Sequence, residues 1–120
     1  MRLSSNWSLA ALSLMAAVML TVKSVDIERT GPEQAAYGNM CGPAHDAPCY
    51  EPVLNAGFPV GYLFDNPGIS VERQLALIED EFRIGAFLLD VAIYFALVLP
   101  AALAVRAACA AWADRRRRPA

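Results

Sequence analysis

Hydrophobic positions along this chain gather into two long runs instead of recurring at the intervals of a soluble core. The first run, 7–22, reads WSLAALSLMAAVMLTV and holds no charge. It is slightly short of the roughly 17–25 residues expected of a spanning helix, and residues 3–6 can extend it. Trp7 stands where an interfacial aromatic would stand. A removable signal peptide shares these ingredients: a basic start at Arg2, an apolar stretch and small residues before a cut. No Ala-x-Ala precedes Lys23, and a lysine is poorly placed there, so a retained helix is the preferred reading. Either outcome exports the polar stretch behind it. The second run, 84–113, carries only Asp90 and Arg106 as charges. Its stretch 84–105 covers about 33 Å at 1.5 Å per residue. That is enough for a hydrocarbon core of about 30 Å.

The polar stretch between them, 23–83, reads in three pieces. Residues 23–39 show little periodicity and a Gly31-Pro32 break, as in a linker or a frayed extension of the first helix. Residues 40–68 are dense in Gly and Pro, and Pro43, Pro48, Pro52, Pro59 and Pro67 forbid a long helix there. Residues 70–83 predict a helix. Ser70 can cap it, Glu72 suits its dipole, and Val71, Leu75, Ile78 and Phe82 form one apolar stripe. Such a helix either continues straight into the second span or bends near Gly85 and lies along the outer face.

Composition and charge sharpen this picture. The chain is 57% hydrophobic, against about 45–50% for an ordinary soluble domain. Between Lys23 and Arg83 ten acidic residues face four basic ones, a net of −6. Arg2 precedes the first run, and Arg115, Arg116, Arg117 and Arg118 follow the second. Lys and Arg collect on the cytoplasmic side of membrane helices, which places both termini inside and the acidic loop outside. The same arginines could be read as a nucleic-acid patch. Directly behind a membrane helix, topology is the better reading, and no nucleic-acid partner is expected.

Candidate chemistry is sparse. Cys41 and Cys49 bracket Gly-Pro-Ala-His-Asp-Ala-Pro, and two nearby cysteines in an oxidising compartment are expected to pair. Cys41, His45, Asp46 and Cys49 hold the right atoms for zinc, but not at the spacing of a paired Cys-x-x-Cys site. The same missing motif argues against a redox-active thiol pair. No metal or cofactor is therefore expected. Cys109 reads as a small apolar-type residue near the inner end of the second span. Asp90 is the one acid within a span, some 9 Å along the helix from its outer end. It reads either as a functional group or as a structural acid bonded to a neighbouring hydroxyl. Arg106, about 24 Å further along, snorkels to the inner headgroups.

Ala92, Ala96, Pro100, Ala104 and Ala108 repeat every four residues, and small residues at that spacing let another helix approach. Ser13 and Ala17 offer a matching patch on the first helix. Glu79, Asp80 and Glu81 form an acidic cluster, read as a solvated face in preference to a cation site. His45 is the only histidine, and no catalytic constellation is visible.

Residues 57–70 read GFPVGYLFDNPGIS, followed by Glu79-Asp80-Glu81-Phe82 and the second span. This stretch resembles a pattern in uncharacterised small bacterial inner-membrane proteins. The resemblance implies a membrane setting and no activity. Phe58, Tyr62 and Phe64 form an aromatic cluster that either holds the loop against the membrane surface or, with Asp65, is a recognition surface, and Asp65-Asn66-Pro67-Gly68 is a turn signal.

The expected fold is an all-α membrane protein. Two transmembrane helices form an antiparallel hairpin with a largely irregular, partly helical exported loop. Its segments are a cytoplasmic N-terminus (1–6), a first span (7–22), a periplasmic loop (23–83), a second span (84–108) and a basic cytoplasmic tail (109–120). The expected role is non-enzymatic: an accessory or assembly protein of the bacterial inner membrane. It would sit in the lipid bilayer beside a membrane-protein partner or a second copy of itself. A transport-related subunit using Asp90 and the acidic cluster is the alternative, and a periplasmic thiol-redox or metal-dependent protein stands third.

Overall fold

The computed structural model of the chain describes residues 2–68 and 73–117. In order, the elements are α1 (Arg2–Lys23), a 3-10 turn (Ser24–Asp26), β1 (Glu28–Cys41), β2 (Ala47–Ala56), β3 (Leu63–Phe64), β4 (Glu81–Phe82) and α2 (Ile84–Arg117). Both α-helices are long and apolar enough to cross a membrane. The chain divides into two compact units. One takes the residues up to Leu20 together with Val91–Ala120, and the other is Thr21–Asp90.

The expectation of an all-α chain with an irregular loop is overturned by the second unit. Among its described residues β1 to β4 form a four-stranded antiparallel sheet in that order. Residues 28–41, most of them expected as linker or helix extension, are a strand. They escaped the usual alternation because the β1–β2 register slips twice, between Thr30 and Gln34 and between Ala36 and Met40. Each bulge resets which face a side chain takes, so the period of two is lost. Pro32 falls inside the first bulge, where the ladder does not need its amide. β2 keeps Pro48 and Pro52 because β3 covers only Asn55 and Ala56 on its other edge.

The helix expected at 70–83 is also absent from the described part of that stretch. Ser70, Val71 and Glu72, its proposed start, lie outside the described residues. From Arg73 on, the amides that a helix would need are taken by carboxylates. Arg73, at φ 62°, donates its N–H to Asp65 Oδ2 at 2.9 Å. The Ala76 N–H goes to Asp80 Oδ2 at 2.5 Å. Side-chain acceptors that capture backbone amides compete directly with helix formation.

The core of this unit is small: Ala56, Tyr62 and Leu63 are buried, with Val25, Leu75, Ala86 and Phe87 packed against them. The Tyr62 ring meets Phe82 and Phe87 edge-on, with centroids 5.7 and 5.2 Å apart. Fully burying a Leu or Phe side chain contributes about 1.5–3 kcal/mol, so a core of this size depends on cross-links as well. One is covalent: Cys41 and Cys49 form a disulfide across the β1–β2 turn. Closing so short a loop is worth about 2–3 kcal/mol before any strain.

In the other unit, α1 buries Ser13 and Ala17, side chains four residues apart on one face. Arg106 Nη1 donates to Asn6 Oδ1 at 3.1 Å. In α2, Val91 is buried and Ile93, Tyr94 and Phe95 are half-buried.

Candidate functional site

The stretch 57–65 singled out in the sequence is the hub of the Thr21–Asp90 unit. Almost every residue in it holds a different element. Arg29 reaches across from β1, its Nη2 donating to the carbonyls of Gly57 at 2.6 Å and Pro59 at 3.3 Å. The same guanidinium lies 5.7 Å from the centre of the Phe58 ring. The Phe58 N–H goes to Ser24 Oγ at 3.1 Å, and that hydroxyl donates to the Thr21 carbonyl at 2.7 Å. The Tyr62 hydroxyl donates to the same carbonyl, also at 2.7 Å. Tyr62 N–H bonds the Ala56 carbonyl, and its own carbonyl receives the Arg83 N–H.

Asp90 completes the set. It is fully buried, and its Oδ1 accepts the Val60 N–H at 2.9 Å. A hydroxyl on the neighbouring helix was the bonding partner expected from sequence; the structure supplies a loop amide instead. Oδ2 is buried with no hydrogen-bond partner among the described residues.

Two glycines make this packing possible. Gly57 has φ 113°, and a Cβ there would stand 2.5 Å from the Tyr62 ring. At Gly61 a Cβ would meet Asn55 Oδ1 at 2.8 Å, and Asn55 is itself fixed by donating to the Gly31 carbonyl at 2.6 Å.

Of the four residues proposed as a recognition surface, Tyr62, Phe64 and Asp65 are buried and only Phe58 is exposed. The aromatic cluster that forms joins Tyr62 to Phe82 and Phe87. The acidic cluster separates as well. Asp80 is buried and accepts the N–H of Asn66 at 3.1 Å besides that of Ala76. Glu81 pairs with Arg83 at 2.8 Å, and Glu79 is exposed.

All four cations of the acidic loop are committed. Lys23 pairs with Asp26, Arg29 holds the two carbonyls, and Arg73 pairs with Glu51. Arg83 forks onto both oxygens of Glu33 at 2.6 and 2.9 Å and lies over the Phe64 ring, 3.9 Å from its centre. The Arg83 contact holds the Glu33 carboxyl below its ordinary pKa. Sequence reading missed Arg29, Arg83, Ser24 and Thr21 as organising residues. The available signal was scarcity: four cations among ten acids each have many suitors.

A cavity of about 670 Å³ opens between Arg29, Glu33, Asn55, Gly61 and Arg83. A second, about 420 Å³, lies beside Tyr37, Glu51 and Arg73. Neither gathers nucleophile, base and acceptor. Among the described residues no three His, Cys, Asp or Glu side chains converge as metal ligands, and the disulfide occupies both thiols of the candidate cluster.

The row Ala92, Ala96, Pro100, Ala104 and Ala108 is exposed along α2. Cys109 is exposed too. Arg116 stacks on Trp112 at 3.6 Å.

No protein-family model, curated protein or solved structure matches this chain.

Proposed function

We propose that this chain is a small integral membrane protein of accessory or assembly type, acting by packing α2 against another membrane helix. The observation that carries the reading is the exposed row Ala92, Ala96, Pro100, Ala104 and Ala108. Small residues four apart allow backbones to approach closely, and this chain leaves the row uncovered. Apart from Asp90, Arg106 and its charged last turns the helix is apolar, and most of its spanning stretch is open. The sorting of Arg2 and the tail arginines against an acidic loop supports a bacterial inner membrane protein with both ends inside. A disulfide in the loop is in keeping with a periplasmic location.

A photo-crosslinking residue placed at Ala96 in cells tests the proposal. An adduct with one defined protein, or with a second copy of this chain, is the expected result. The control is Val105, which is exposed and lies about two and a half turns further on, on the opposite face; it gives none. Absence of an adduct at Ala96, with the chain running as a monomer in mild detergent, would overturn the proposal.

A transport role has one observation in its favour, the buried Oδ2 of Asp90, which has no hydrogen-bond partner among the described residues. Asp90→Asn with unchanged solute or ion flux in vesicles would remove that reading.

A further inference from the structure

The segment leading into β4 has an apolar tip. Leu77 is 66% exposed and Ile78 is 96% exposed, so two large aliphatic side chains stand outside the protein. They are adjacent in sequence and only a few residues from the start of α2. Leu77 also lines a groove of about 230 Å³ together with Val22, Val25, Tyr62, Phe82 and Phe87. Its wall is built of carbon, and the polar end of Tyr62 is turned away onto the Thr21 carbonyl.

The position of the groove fixes its surroundings. Val22 belongs to the last turn of α1. Phe87 lies three residues into α2, about 4.5 Å along its axis. Both fall within the two segments apolar and long enough to span a membrane. A side chain sharing a wall with both sits at the depth where the spans enter the bilayer. Val22 in the groove wall, and Ile84 and Leu88 in the first turns of α2, are exposed apolar side chains.

From this we infer that the tip Leu77-Ile78 is immersed in the outer leaflet and that the groove beside it takes a lipid acyl chain. The inference rests on the membrane-spanning reading of α1 and α2. The choice of occupant follows from chemistry. A protein strand or irregular segment in the groove would bring amides, and the groove has no polar group to receive them; a hydrocarbon chain brings none. Headgroup attraction is not the driving force, because Glu79 and Glu81 flank the tip and would be repelled by anionic lipid. Charge at the tip therefore favours a zwitterionic bilayer over an anionic one.

The test uses the full chain with Trp7 and Trp112 changed to Phe, reconstituted alone in phosphatidylcholine vesicles. Single tryptophans are placed by Leu77→Trp, Ile78→Trp, Leu97→Trp within α2, and Met40→Trp on the exposed β1 edge. Each is read in plain lipid and in lipid brominated on the acyl chains, a contact quencher. The expected result is a several-fold loss of emission for Leu77→Trp and Ile78→Trp, comparable with Leu97→Trp, and none for Met40→Trp. If Leu97→Trp is quenched while the two tip variants behave like Met40→Trp, the tip is outside the bilayer and the inference fails. If the tip variants are blue-shifted but unquenched, protein fills the groove, and the inference fails for that reason. If Leu97→Trp is itself unquenched, the spanning reading falls and takes this inference with it.

Discussion

Replacing Gly57 by Ala isolates the packing that holds the Thr21–Asp90 unit together. Two costs arise. The first is conformational: φ 113° at Gly57 lies where side chains rarely go, at about 1–3 kcal/mol. The second is steric: the new methyl would stand 2.5 Å from Tyr62 Cδ1 and 2.6 Å from Cε1. Tyr62 cannot swing aside, since its ring is wedged by Phe82 and Phe87 and its hydroxyl is tied to Thr21. Overpacking of that kind costs about 1–3 kcal/mol more. Gly68→Ala separates the two effects. Gly68 has φ 98°, but a Cβ there meets nothing within 4 Å, so only the conformational cost applies. The difference between the variants is then the steric cost alone, about 4–24 °C in melting temperature for a unit of this size. The assay is thermal unfolding in mild detergent, followed by near-ultraviolet circular dichroism. If Gly57→Ala melts no lower than Gly68→Ala, Tyr62 is not confined by its neighbours and the hub does not exist.

Three further outcomes rest on the same contacts. Asp90→Ala removes the acceptor of the Val60 amide and lowers stability by about 1–3 kcal/mol; Asp90→Asn keeps that acceptor and costs less, which the same melting assay will rank. Changing Cys41 and Cys49 together to Ser lowers stability by about 2–3 kcal/mol under oxidising conditions, and adding reductant to the unaltered chain reproduces the loss. Glu33 is held below its ordinary pKa of 4.5 by Arg83, so its contribution is present above that value and is lost as pH falls through the depressed one. An acid titration of stability shows that decline in the unaltered chain, and Arg83→Gln makes it shallower by the Glu33 share.

The two helices were legible because their signal is local: an uninterrupted apolar run is long or it is not. The sheet was not legible because its signal is distributed. β1 and β2 hold Pro32, Pro48 and Pro52, and their pairing has two register slips; each device that makes the hairpin possible also erases alternation. The stripe Leu75, Ile78 and Phe82 shows the opposite error. Its spacing is helical, yet Asp65 and Asp80 capture the amides of Arg73 and Ala76. Ile78 ends up exposed while Leu75 packs on the core. Periodicity reports where apolar residues fall, not what the backbone donors prefer. The disulfide was legible from two cysteines close in sequence, since it required no knowledge of the strands it joins.

Asp90 is where the two kinds of information meet. An acid within an apolar run draws attention as a functional group. In the structure its Oδ1 serves the Val60 amide, and Val60 lies between Pro59, held by Arg29, and Gly61, pressed on Asn55. The carbonyl of Thr21 plays the matching part from α1, receiving Tyr62 and Ser24. Thus the last turn of α1 and the first two turns of α2 each supply a polar acceptor to residues 57–65. A loop with few buried apolar side chains gains little from burial against the entropy of ordering its residues, so residues 57–65 need polar anchors as well. Hydrogen bonds from the helix ends supply what the core lacks. On this argument the first duty of Asp90 is to position residues 57–65.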